Sequence, residues 1–217
     1  ANFFKDLKLK ETNFNFFADS SDVLIKNINS SMDGVIIRDG NLQIIKNKKI
    51  IVKSDFNSKI ELDNQNIGNY YKIFKNLNLQ NRKTKINADV DNFVNLTFDE
   101  TYKLINYEYK NKGNVKEISI ELEKPIKNLI LDRPINSFYL RNTNFNIRHA
   151  SDDKNQITTS GSYSIDNKDF EKFNLISNFN KKNIDTNLSL EISQNLKVDI
   201  INFKKKQNQN AKINLDF

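Results

Sequence analysis

Hydrophobic and polar residues alternate along most of this chain. The stretch IIVKSDFNSKIEL shows it most cleanly: Ile50, Val52, Ser54, Phe56, Ser58, Ile60 and Leu62 share one parity, while Lys53, Asp55, Asn57, Lys59 and Glu61 share the other. A period of two places the two sets on opposite faces of a β-strand, one dry and one wet. As a single strand it would run about 40 Å at about 3.3 Å per residue, longer than most. Similar runs recur at Phe14 and Phe16, less regularly at Leu24 and Ile28, through GVIIRDGNLQII, at Ile86, Ala88 and Val90, and at Val94, Leu96 and Phe98. They continue at Phe138 and Leu140, at Phe145 and Ile147, from Ile157 through Tyr163 to Ile165, and at Phe173, Leu175 and Phe179. The last runs use Leu188, Leu190 and Ile192, then Leu196, Val198 and Ile200, then Ile213, Leu215 and Phe217. The pattern predicts roughly a dozen strands.

Two glycines suggest where the chain turns. Asp39-Gly40 carries a hairpin signal, since glycine accepts the positive φ of tight turns. NYEYKNKGNVKEISIEL reads as a hairpin turning at Lys112-Gly113, with Tyr107 and Tyr109 facing Ile118, Ile120 and Leu122. Only NIGNYYKIFKNLNLQ has helical spacing, with Tyr70, Ile73, Phe74 and Leu77 three and four apart, which predicts one short helix near 66–78. No linker and no shift in composition divides the chain, so residues 1–217 read as one β-rich section.

One short helix cannot cover the apolar faces of so many strands. Either two sheets pack face to face as a sandwich or barrel, or one curved sheet keeps an apolar trough that something else fills. Five glycines and two prolines are few for a compact fold of many tight turns. The Ile50–Leu62 run, if unbroken, suits an extended sheet.

Composition changes this picture little. Hydrophobic residues make up 37 % of the chain, with 16 Phe and 7 Tyr, so the apolar positions are few but bulky. Their regular alternation argues against disorder. The net charge of +7 points to an anionic partner, yet the lysines form no stripe, and abundant Asn, Lys, Ile and Phe read as a compositional bias. There is no cysteine, hence no disulfide, thiol chemistry or thiolate metal site. No apolar run approaches the ~18 residues of a membrane helix. ANFFKDLKLK lacks signal-peptide architecture and AKINLDF stops within an alternating run, so both ends read as cut from a longer chain.

Candidate chemistry is thin. TSGSYS sets Ser160 and Ser162 beside Gly161 inside an alternating run, where a glycine marks a bulge sooner than a nucleophile. His149, the only histidine, follows Phe145 and Ile147 in register and belongs to the apolar side or its rim; alone it makes a poor metal site. The acidic pairs Asp89/Asp91, Asp99/Glu100 and Asp152/Asp153 read as wet-face residues, and DVDNFV lacks the glycine and closing glutamate of a calcium loop. NFKKKQNQNAK reads as a solvated loop. The expectation is a non-enzymatic chain with no catalytic residue, no metal and no cofactor, and no nucleic-acid partner.

The phrasing of the strands resembles a known family. In SSDVLIKNINSSMDGVIIRDGNLQI, Met32, Gly34, Ile37, Gly40, Leu42 and Ile44 fill the phrase that follows a strand in the AsmA-like superfamily, and LRNTNFNIRH with ITTSGSYSIDNKDFEKFNLISNF has the same cadence. The pattern is most similar to the central domain of YhdP-type proteins. The resemblance implies a mainly β fold, a long curved antiparallel sheet forming a repeating β-groove, with a closed β-sandwich as the alternative. It implies a section of a bridge-like conduit in the Gram-negative periplasm, anchored to the inner membrane through a segment outside this chain. Such a conduit shields acyl chains and carries phospholipid between the two membranes, with neighbouring segments of the longer chain as partners. A structural or adhesive sandwich module and a nucleic-acid-binding β domain are the other readings. On the conduit reading the groove is lined by Ile50, Val52, Phe56, Ile60, Leu62, Phe145, Ile147, Ile157, Tyr163 and Ile165. Phe173, Leu175, Phe179, Leu188, Leu190, Ile192, Val198 and Ile200 complete the lining.

Overall fold

A computed structural model describes residues 8–70, 83–126, 133–198, 203–206 and 211–216. Strands dominate it. They are β1 (Lys10–Ala18), β2 (Asp22–Met32), β3 (Val35–Lys46), β4 (Ile50–Leu62), β5 (Thr84–Phe98), β6 (Leu104–Ile126), β7 (Ile135–Ala150), β8 (Asn155–Ile165), β9 (Glu171–Phe179) and β10 (Ile184–Ile192). Three shorter ones follow: β11 (Leu196–Val198), β12 (Phe203–Lys205) and β13 (Ala211–Asp216). β1 to β10 pair antiparallel in sequence order, and β13 adds beside β10, giving one open sheet of 11 strands. β11 and β12 form a separate two-stranded sheet. The long-sheet expectation therefore holds, and the closed sandwich does not.

The Ile50–Leu62 run is one unbroken strand of 13 residues, paired along its whole length with β5. Both hairpin expectations need correction. The β2–β3 turn falls at Asp33-Gly34, where Gly34 takes φ 91° and Met32 pairs with Val35. Asp39-Gly40 lies inside β3 instead, at a bulge opposite β4, with Asp39 at φ 53°. Lys112-Gly113 is also not a turn: β6 runs 23 residues through it, and Gly113 pairs with Val90 on one side and Phe145 on the other. Tyr107 and Tyr109 thus lie on the same strand as Ile118 and Ile120 rather than across from them. Glycine is needed at 113 because a Cβ there would run into the backbone carbonyl of Asp89. The signal that reads as a turn reports a close approach of two strands.

Of the predicted helix, the described part is a 3-10 turn, Ile67–Tyr70; residues 71–78 lie outside the described residues. Ile67 and Tyr70 are buried. The Tyr70 hydroxyl donates to the carbonyl of Met32 at 2.6 Å, and Asn69 donates to Asp33 at 3.2 Å, so this segment is fastened over the β2–β3 turn.

Bulges explain the irregular sequence stretches. β2 has one between Ile25 and Ile28, β3 between Arg38 and Asn41, and β7 between Arg141 and Asn144. Each contains an Asn or Asp at positive φ: Asn27 at 55°, Asp39 at 53°, Asn142 at 47°. These residue types tolerate the left-handed region better than others. One extra residue reverses the parity of the strand. Val23 and Ile25 thereby share a face with Ile28 and Met32, and Phe138 and Leu140 share one with Phe145 and Ile147.

Candidate functional site: the apolar face of the sheet

Residues paired across antiparallel strands point to the same face, so the register fixes which side chains lie together. One row crosses the sheet from β2 to β13 without interruption: Ser30, Ile37, Ser58, Val90, Gly113, Phe145, Thr159, Leu175, Leu188 and Leu215. A second runs Val23, Ile44, Val52, Leu96 and Tyr107. No charged residue interrupts either row. From β3 to β10, the charged residues in register on this face are Lys46 at a strand end and Glu171, which is buried.

The register places the predicted lining residues on this face, strand by strand. Ile50, Val52, Phe56, Ile60 and Leu62 project from β4, and Phe145 and Ile147 from β7. Ile157, Tyr163 and Ile165 project from β8, and Phe173, Leu175 and Phe179 from β9. Leu188, Leu190 and Ile192 project from β10. Val198 is in β11, on the small second sheet, and Ile200 lies outside the described residues. Most of the sixteen on the large sheet are half-buried; Leu62 and Ile192 are buried. Half-burial is what side-by-side neighbours on one sheet layer give. Along the first row and its neighbours, small residues are the most enclosed: Ser30, Ser58, Ala88 and Thr143 are each buried.

Two asparagines lie in the middle of this face and hydrogen-bond within it. Asn92 donates to Ser58 Oγ at 2.9 Å and to the Phe56 carbonyl at 3.2 Å, and Asn111 donates to Asn92 Oδ1 at 2.8 Å.

The opposite face carries the charge. Lys85 pairs with Glu117 at 2.7 Å, Arg148 with Glu108 at 2.8 Å, Lys59 with Glu61 at 2.7 Å, and Lys116 with Asp89. Asn114 donates to Asn144, and Gln156 to Asn178, both at 2.9 Å. Much of the excess of lysine on this face is thus interleaved with carboxylates. Exposed pairs of this kind contribute little to stability; their consequence here is a charged back, among whose ion pairs Ile36, Ile45, Ile51, Phe93 and Ile176 also project.

At one end of β8–β10 a polar cluster closes the apolar face. Glu171 accepts hydrogen bonds from the backbone and hydroxyl of Ser193 and from Tyr163 at 3.2 Å. Tyr163 also donates to the Glu191 carbonyl at 2.8 Å; its burial and the neighbouring Glu171 both raise its phenol pKa. Lys205 of β12, itself buried, donates to the Ser193 carbonyl at 2.8 Å. Nearby, Arg133 bridges Asp166 and Gln194. Backbone N–H groups of Asn136 and Ser137 together with Arg133 hold Asp166 below the usual carboxylate range, against the opposing effect of burial.

At the opposite end, His149 projects onto the apolar face among Tyr107, Tyr109 and Phe179, with ring centroids 5.3, 6.5 and 6.1 Å away. Its place was legible from parity; the aromatic surround was not, because it joins three strands. Ser160 and Ser162 flank Gly161 on β8, in register with β7 and β9, and no histidine or carboxylate adjoins them in the ladder. Among the described residues no group of three metal-binding side chains occurs, and no helix is long and apolar enough to cross a membrane. No family model, no curated protein and no solved structure matches the chain.

Proposed function

We propose that the apolar face is a bed for acyl chains and that this chain is one section of a periplasmic lipid conduit of the AsmA-like kind. The observation that carries the reading is the uncharged row from Ser30 to Leu215, presented by a single open layer. Burying a CH₂ group gains about 0.8 kcal/mol, so a chain of about 16 carbons lying on the face gains on the order of 10 kcal/mol before its ordering costs. Aliphatic and aromatic side chains contact a tail without directional bonds, which suits sliding better than fixed binding. The charged back keeps such a sheet in water, and its open edges at β1 and β13 suit continuation by further strands. The resemblance in the Met32–Ile44 phrase supports the same reading. No chemical step is assigned to any residue.

Native mass spectrometry of the purified chain tests it. Phospholipid adducts, exchangeable with vesicle lipid, are the expected result. A chain that carries no lipid and takes none up from phosphatidylglycerol vesicles would overturn the proposal.

A further inference from the structure

His149 stands at the exposed margin of this face, surrounded by the rings of Tyr107, Tyr109 and Phe179. Its contacts define its proton. Asn155 Oδ1 accepts the Ala150 N–H at 2.7 Å, so that atom is an acceptor, and the imidazole Nδ1 facing it at 3.1 Å carries hydrogen. In the neutral ring Nε2 is then an acceptor, and the Tyr107 hydroxyl donates to it at 3.4 Å. Tyr109 and Phe179 hold near-parallel rings on either side, tilted 15° and 18° from the imidazole.

The titratable groups facing His149 are Tyr107 and Tyr109 from β6; β8 contributes Asn155 and β9 contributes Phe179. Among the charged neighbours, Arg148 on the other side binds Glu108 at 2.8 Å and Asp152 at 2.9 Å, and in the adjoining turns Asp153 pairs with Lys181 at 3.7 Å, while Asp153, Lys154 and Asp185 line a cavity with Phe179. Inward along β7 and β8 the surface turns aliphatic at once, with Ile147 paired to Ile157. Polar donors at the margin and an apolar track leading away from them match the two ends of an amphiphile.

We propose that His149, with the hydroxyl of Tyr107, seats the monoanionic phosphodiester of a lipid whose tail lies along the apolar face. The inference rests on the acyl-chain reading above and adds the head-group contact to it. A second proton on Nε2 turns the ring into a donor. The Tyr107 oxygen then accepts from the ring, and its own hydrogen is released toward a ligand. Charge and donors both arrive on protonation, and the Tyr107 ring, its centroid 5.3 Å away, lies within reach of the cation. Imidazoles as a class change charge between about pH 5 and 8, so head-group binding should strengthen on acidification.

The test compares lysophosphatidylglycerol, whose charge is constant over this range, with uncharged dodecyl maltoside, both below micellar concentration, by calorimetry at about pH 5.5 and about pH 8. Lysophosphatidylglycerol is expected to bind about five- to tenfold tighter at the lower pH, as one charge-assisted hydrogen bond gives, and the maltoside equally at both. His149→Gln should abolish the acid tightening of the anionic lipid and leave maltoside binding intact, and Tyr107→Phe should reduce it. Equal affinities for the anionic lipid at both pH values, or the same tightening in His149→Gln, would overturn the head-group seat while leaving the acyl bed standing. Failure of both amphiphiles to bind would overturn the acyl bed and the seat together.

Discussion

Asn111 donates its side-chain amide to Oδ1 of Asn92 at 2.8 Å, in the middle of a face made mostly of aliphatic, aromatic and small hydroxyl side chains. Asn92 passes the chain on to Ser58 Oγ at 2.9 Å. These polar groups bond one another across β4, β5 and β6, which offsets part of the polarity they bring to the face. Asn92→Ala removes the centre of this chain and is expected to cost about 1–2 kcal/mol, because it strands the partners of Asn92. The double variant Asn92→Leu with Asn111→Leu removes both amides together and should cost less than the single alanine. Urea unfolding midpoints of the three proteins check the order.

Gly113 faces the carbonyl of Asp89 across the β5–β6 ladder, with Val90 Cα 3.0 Å from where a Cβ would stand. Gly113→Val must push β6 away from β5 in the middle of the sheet. A loss of about 1–3 kcal/mol is expected, in the range of overpacked interiors. A valine variant as stable as the parent by chemical denaturation would show that the ladder yields there.

Tyr70 ties the 3-10 turn to the β2–β3 hairpin, and burial, helped by Asp33, raises its phenol pKa from 10.0 to about 12. A phenol whose pKa is higher when folded stabilises the fold below its unfolded pKa and loses that contribution as pH rises. Stability should therefore fall between about pH 10 and about pH 12. Tyr70→Phe should lose about 1 kcal/mol at neutral pH with the bond to Met32, and show a shallower alkaline decline. Stability measured against pH for the two proteins gives the comparison.

Ile147 and Asn146 are sequence neighbours on opposite faces of β7, Ile147 paired with Asn111 and Asn146 with Lys112. On the acyl-bed reading Ile147→Lys places a charge in the track and should lower co-purified lipid severalfold. Asn146→Lys adds the same charge to the charged back and should leave the lipid load unchanged. Equal loads in both variants, with both folded by circular dichroism, would count against the bed.

The amino-acid order alone marked the alternating runs and, within each run, which residues share a side. Local geometry demands that: alternation needs no partner to be read, and Ile50–Leu62 emerged as the strand it spells. The turns were less legible. Asp33-Gly34 is a true turn, while Asp39-Gly40 and Lys112-Gly113 look like turns and are not, because glycine serves positive φ and close strand approach alike. Only pairing between strands tells the two apart. Tertiary structure also decided that the alternating runs face the same way. Bulges at Asn27, Asp39 and Asn142 each insert one residue and reverse the parity, joining segments that simple counting would set on opposite sides. The continuous row from Ser30 to Leu215, and the rings around His149, exist only through register, which is fixed between strands and written in none of them singly.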